Sequence, residues 1–221
     1  MRNKYKIDLH SHSRLSKDGG ISEQEYLNLL DKGVLDVVAV TDHNEIDVAL
    51  ELADERPDQV IVGEEIMTKE GEIIGLYLQE WVPAGLGLEE TMGLIHEQDG
   101  LVYIPHPFDP LRHGISEQQA LDLLEQIDLW ERFNARYITV GKFKGNEYAK
   151  EFGVKHRLPL ASSSDSHSRG AIGKTYTVVG GRPTRETLVT LLRSAEYVEI
   201  YANLYDRLVP GWNWATKMIR R

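Results

Sequence analysis

Five short apolar runs along this chain each lead into histidine or a carboxylate. Tyr5–His10 carries His10 at its end and His12 just beyond. Asp36–Thr41 leads into Asp42 and His43, and Gln59–Gly63 into Glu64 and Glu65. Leu101–Ile104 is followed by His106, and Leu158–Ser162 by Asp165 and His167. Apolar runs this short, bounded by polar residues and glycine, read as buried strands. Between them lie segments with helical spacing: Glu23–Lys32, Ile46–Glu55, Glu89–Gln98, Ser116–Gln126, Gly145–Phe152 and Thr184–Ser194. Ser22 and Glu25 have the spacing of a capping box at the first of these. Further strands are expected over Glu72–Leu78, Asp128–Phe133 and Tyr197–Tyr201.

Such regular alternation predicts an α/β fold with a parallel sheet closed into a barrel. A chain of 221 residues without a linker-like stretch suits a single domain over residues 1–221. In a barrel of this kind the carboxyl ends of the strands share one face, where active sites are built. The five runs therefore bring imidazoles and carboxylates to one region.

The residue types point to metal binding. Residues i and i+2 of an extended segment project the same way, so His10 and His12 can share an ion, as can Asp165 and His167. Imidazole suits zinc, iron and manganese, and a carboxylate can bridge two ions. Buried carboxylates would be costly without a counter-charge, which metals supply. Each piece also has an ordinary structural explanation. Asp42 or Asn44 could cap a helix, His106 before Pro107 could be a packed core histidine, and Asp18 before Gly19 could serve a turn. The case rests on five strand ends carrying the same class of ligand. Of the remaining histidines, His96 and His156 are expected at the surface and His113 near the site face.

Composition narrows the classes. With no cysteine, disulfides and thiolate metal sites are excluded. The start, Met1–Lys6, lacks the apolar stretch of a signal peptide, and no run is long enough to span a membrane, so a cytoplasmic location is expected. A net charge of -10 argues against a broad grip on extended nucleic acid. It leaves room for a small anionic substrate, since bound metals reverse the local field. The aromatic and basic tail, Trp212–Arg221, is expected to be a helix covering the barrel.

The motifs as a set resemble the polymerase and histidinol phosphatase (PHP) family of metal-dependent phosphoesterases. The matching segments are Asp8–His12, Ser16–Gly19, Val40–Asn44, Gly63–Glu65, Pro105–Pro107 and Ser164–His167, in the family's order. Trp130–Arg136 is similar to the stand-alone bacterial branch. The resemblance implies a distorted (β/α)7 barrel with two or three divalent metal ions (zinc, manganese or iron) at the strand ends. It implies that His10, His12, Glu65 and Asp165 hold one ion and that Asp18, His43 and His167 hold another. It also implies that Glu65 bridges to a further ion bound by His106. The chain departs from fuller members in one respect: Glu72 stands where some relatives carry a histidine, as a substitute ligand or beside a weakly held ion.

The expected reaction is hydrolysis of a phosphate ester by a metal-bound hydroxide. The substrate would be a small phosphomonoester, a nucleotide or a short oligonucleotide. Arg14 and Arg112 are the leading candidates to clamp phosphate, ahead of Arg136 and Arg169. Two other classes fit the same residues: a metal-dependent amidohydrolase, and a non-catalytic metal- or nucleotide-binding module. A carbamylated lysine ligand would favour the amidohydrolase, and no lysine sits at a predicted site strand end.

Overall fold

The computed structural model describes residues 4–137 and 144–219. Its strands are β1 (Tyr5–Asp8), β2 (Val37–His43), β3 (Val60–Met67), β4 (Glu72–Leu76), β5 (Leu101–Ile104), β6 (Leu129–Asn134), β7 (Leu160–Ser163), β8 (Tyr176–Val179) and β9 (Glu196–Val198). The helices are α1 (Glu23–Asp31), α2 (Asp47–Glu55), α3 (Leu88–Glu97), α4 (Glu117–Asp122), α5 (Gly145–Lys155), α6 (Leu188–Leu192) and α7 (Leu204–Ile219). The expected capping box is present, with the Ser22 amide donating to Glu25 Oε2 at 2.9 Å.

The strands form one sheet in the order β7-β6-β5-β4-β3-β2-β1-β8-β9. It curls until its first and last parts meet. The Asp165 amide donates to the His10 carbonyl at 2.9 Å, and the His12 amide to the Ser166 carbonyl at 2.8 Å. The result is a nearly closed, distorted barrel. Strand β2 shows why its sequence is apolar throughout. Val37 and Ala39 face a cluster inside the barrel with Ile7, Leu9, Ile74 and Tyr103. Val38 and Val40 face an outer cluster with the helices. Burial on both faces is the signature of such strands. Leu188 and Leu192 of α6 join the inner cluster.

The sheet is mixed rather than parallel. β4 pairs antiparallel with both β3 and β5, and β8 is antiparallel to β1 and β9. β3 and β4 form a hairpin across the short segment Thr68–Gly71, which forces the reversal. The reversal matters for the site: β4 begins where β3 ends, with Glu72 opposite Met67. An antiparallel strand thus delivers its first residue to the rim that parallel strands supply with their last. β8 was not among the expected strands. Its alternating half-buried pattern, Tyr176-Thr177-Val178-Val179, carries the signal that would have found it.

The tail is helical, as expected, but α7 starts earlier, at Leu204, and Arg220 and Arg221 lie outside the described residues. Among the described residues no helix is long and apolar enough to cross a membrane.

Candidate metal centre

Strand register sets the site. β2 and β3 run parallel with His43 beside Glu65 and Asp42 beside Glu64. Successive residues point to opposite faces, so one of each pair turns inward. Glu65 enters the barrel mouth, whereas Glu64 faces away and accepts from the Val82 amide at 2.9 Å. Asp42 also faces away and fixes the neighbouring segment, accepting from the Ser13 amide at 2.7 Å and its hydroxyl at 2.5 Å. Two site residues sit at left-handed backbone angles, His106 at φ 27° and Asp165 at φ 49°. Non-glycine residues occupy this region at a cost, and such positions gather at functional sites.

Glu65 is the hub. Its Oε2 lies 3.3 Å from Nε2 of both His10 and His12, and 3.2 Å from His43 Nδ1. Its Oε1 lies 2.9 Å from His106 Nε2. The two Nε2 atoms of His10 and His12 approach to 3.1 Å, with Asp165 Oδ1 at 3.7 and 3.5 Å from them. Glu72 lies 3.5 Å from His43 and 3.7 Å from His106. Asp18 reaches His167 Nε2 at 3.2 Å and His43 Nε2 at 3.6 Å. All eight residues predicted as ligands, with Glu72 as the ninth, therefore meet in one cluster.

Four overlapping triads among them place their ligand atoms within 4.8 Å of one another: His12–His43–His167, His10–His106–Asp165, His10–His12–Glu65 and His43–Glu65–Glu72. This is the donor set a hard or borderline divalent ion takes. The Nδ1 atoms of His12 and His106 are buried without a hydrogen-bond partner. Their Nε2 atoms are the ones that converge, and the residues fit metal ions.

The electrostatics are those of a crowded anionic site. Burial opposes charge on Glu65, yet His10 and His43 hold its carboxyl well below the usual range. Burial likewise opposes charge on Asp165, but Arg136 and His10 keep it ionised. Glu72 is pushed up to about 9 by burial and by its neighbours Glu65 and Asp165. Burial would depress His12, but Asp165 and Glu65 raise it to about 9. His43 and His167 are depressed by burial to about 4 and about 3.

The arginines divide. Arg112 Nη1 donates to Asp165 Oδ2 at 2.6 Å and to Asn134 Oδ1 at 2.8 Å. Arg136 Nη1 donates to Asp165 Oδ1 at 3.0 Å. Arg14 is not brought to the cluster, contrary to expectation. Its side chain is exposed and forks onto Glu23 at 2.5 and 2.6 Å, because the chain turns outward after Ser13. Arg169 lines a separate hollow beside α1. His96 is on the surface with Asp128, as expected, whereas His156 packs at a tilt against Phe152, with 4.4 Å between centroids.

Two residues of β6 had no assigned role in the sequence and belong to the site. Glu131, buried, accepts from His10 Nδ1 and from the Tyr103 hydroxyl, both at 3.2 Å, and from the His106 amide. Asn134 donates to Glu131 and Asp165. Their signal was polar residues inside a fully buried strand.

Above the cluster lies a cavity of about 170 Å³ whose lining includes Asp18, His43, Glu65, Glu72, Arg112, Arg136 and Asp165. Larger hollows, of about 210 and 420 Å³, lie elsewhere and lack this convergence.

A curled β/α barrel carrying buried histidines and carboxylates at its strand-end rim defines a metal-site barrel. Comparison with known proteins narrows the class. The chain is 34% identical over 183 residues to an uncharacterized protein of Methanocaldococcus jannaschii, covering 77% of this chain and 69% of that one. A family model described as PHP-associated matches residues 144–197, the stretch bearing Asp165 and His167. The fold is similar to that of a two-domain Bacteroides vulgatus protein containing a predicted PHP-like metal-dependent phosphoesterase, with TM-score 0.69, 18% identity, and 95% of this chain and 69% of that one covered. It is also similar to an amidohydrolase of Chromobacterium violaceum, with TM-score 0.58, 17% identity, and 76% and 89% covered. The chain is thus a relative of that Methanocaldococcus jannaschii protein, its residues 144–197 match the PHP-associated model, and its fold is shared with solved PHP-like proteins.

Proposed function

We propose that this protein is a metal-dependent phosphoesterase acting on a small phosphate ester. The observation that carries the reading is the meeting of the nine-residue cluster with two arginines, Arg112 and Arg136, around one small cavity. His10, His12, Glu65 and Asp165 would hold one ion, and Asp18, His43 and His167 a second. His106 and Glu72, with Glu65 between them, would hold a third. Bound divalent ions supply a water acidified towards pKa ~7 and neutralise charge on the phosphoryl oxygens.

The chain's own residues do the rest. Arg112 and Arg136 present planar donors to the cavity, the geometry that grips phosphate oxygens. Asn134 and Asp109 hold the Arg112 guanidinium in place. Glu131 accepts a hydrogen bond from His10 Nδ1 and so aims Nε2 into the cluster. Lys17, Met67 and Leu111 also line the cavity, and a space of about 170 Å³ has room for a phosphoryl group. That size, with a net charge of -10, supports a small phosphomonoester, a nucleotide or the end of a short oligonucleotide over extended nucleic acid.

Amide hydrolysis is the competing reading, supported by the likeness to the amidohydrolase fold. A panel of phosphate esters and amides, run with metal-reconstituted protein, separates the two. The proposal expects inorganic phosphate release that is lost in His10→Ala. Turnover of amides alone, or full phosphate release by His10→Ala, would overturn it.

A further inference from the structure

Asp18 is the odd member of the cluster. The other eight residues lie in a strand or within four residues of one, whereas Asp18 follows β1 by ten. It is also the most exposed, with 17% of its side chain accessible against 11% for His43 and 5% or less for the rest. Its segment, Arg14–Gly20, is neither helix nor strand. Something beyond the barrel must hold it.

Helix α7 supplies that support. Asn213 Nδ2 donates to the carbonyls of Asp18 and His167 at 3.0 and 3.4 Å, so one amide sits behind two cluster residues. Lys217 Nζ donates to three carbonyls of the Asp18 segment, those of Arg14, Ser16 and Gly19, at 2.7, 2.6 and 2.8 Å. Buried Asp206 accepts from the Ser168 hydroxyl at 2.9 Å, one residue past His167. The approach is close: a Cβ on Gly20 would lie 2.7 Å from Asn213 Nδ2. Among the described residues none of α7 belongs to either apolar core cluster, so these polar contacts carry much of its attachment.

The geometry works from behind the site. Asp18 turns its carbonyl to Asn213 and its carboxylate to His167 and His43. Carbonyls drawn together on one side need donors, and an ammonium that serves three of them forms charge-assisted bonds, stronger than neutral ones. Without that ammonium the three oxygens face one another unpaired. The segment then relaxes and carries the Asp18 carboxylate away from the imidazoles.

We infer that Asn213 and Lys217 are positioning residues for the ion of Asp18, His43 and His167, and that this ion and the docking of α7 are linked. The inference rests on the metal-centre reading and is independent of the ester cleaved. Linkage is reciprocal: if docked α7 tightens the ion, the ion tightens docking by the same factor.

Calorimetric titration of the metal-stripped full chain with manganese tests this. Lys217→Met removes the ammonium and keeps the length of the side chain. It is expected to weaken one binding step by about 10- to 100-fold, the usual cost of losing a group that orients a ligand. The remaining steps and the circular dichroism spectrum are expected to stay as in the wild type. Should Lys217→Met fail to fold, Asn213→Leu carries the same expectation. Leu208→Ala, on the exposed face of α7, is the control and should leave every step unchanged. In the wild type, manganese is also expected to slow hydrogen exchange of the α7 amides. Exchange in α7 that ignores manganese overturns the inference. So do a variant that binds every ion as the wild type does, a variant whose steps all weaken alike, and a Leu208→Ala chain that loses the same step. A wild-type chain that binds its ions but releases no phosphate overturns the phosphoesterase reading alone, and one that binds no ion overturns both.

Discussion

Glu131 sits behind His10, with Oε1 at 3.2 Å from Nδ1, and is not itself among the residues that line the cavity. A carboxylate in this place fixes the tautomer of the imidazole it supports and raises its basicity as a ligand. Glu131→Gln keeps the shape and removes the charge. It is expected to weaken metal affinity by about 10- to 100-fold while leaving the circular dichroism spectrum unchanged. Metal titration by calorimetry checks this, and unaltered affinity would refute the role. Protonation gives a second prediction. With His12 and Glu72 both raised to about 9, each carries a proton at pH 7 in the absence of metal. His43 and His167, at about 4 and about 3, do not. Ligands must be deprotonated, so metal uptake at pH 7 is expected to release protons, and affinity is expected to rise with pH up to about 9. Uptake in weakly buffered solution that leaves the pH unmoved would contradict this. At this scale the sequence was informative wherever a polar residue closes an apolar run, which is how the histidines and carboxylates of the rim were found. Glu131 escaped because it lies inside a strand, where only the long-range contact to His10 gives it meaning. Arg14 misled because proximity to His12 along the chain is not proximity in space.

The segment from Ser13 to Gly20 shows how an element positions Asp18. A Cβ on Gly19 would lie 2.0 Å from the Ser13 carbonyl oxygen, a backbone atom that cannot swing aside. Gly19→Ala is expected to cost about 1–3 kcal/mol, read from urea unfolding. Gly180→Ala, with no atom within 4 Å of the added carbon, serves as the control and should stay within about 0.5 kcal/mol. Equal effects would contradict the steric account. Element types and most positions were legible because apolar period and capping chemistry are local: the box at Ser22 and the run Leu101–Ile104 hold as read. Strand direction was not legible. Nothing local in Glu72–Leu76 reveals that it runs against β3, because direction follows from the brevity of the connection and from pairing on both sides. Which face of α7 meets the barrel was not legible either, because it is set by long-range contacts of Asn213 and Lys217 to the Asp18 and Gly19 carbonyls.

On the scale of the whole molecule, the chain concentrates negative charge at its centre. The ionised carboxylates Asp18, Glu65 and Asp165 crowd one rim with Glu72, and Lys17, Arg112 and Arg136 lie beside them. Crowded buried carboxylates cost stability until counter-ions arrive. A ligand bound only by the folded state stabilises by about 2.7 kcal/mol at a hundred times its dissociation constant. Thermal unfolding is therefore expected to rise by several degrees with divalent metal and to fall on chelation, and an unmoved transition would show that the cluster holds no ion. The central claim is that metal held by this cluster makes a phosphoesterase. It is tested most directly by measuring phosphate release against metal bound per chain in one titration of metal-stripped protein. The account predicts no release from the stripped chain and activity that climbs to a plateau as two or three ions bind. Full metal occupancy without phosphate release from any ester, or release that is already complete in the stripped chain, would contradict it.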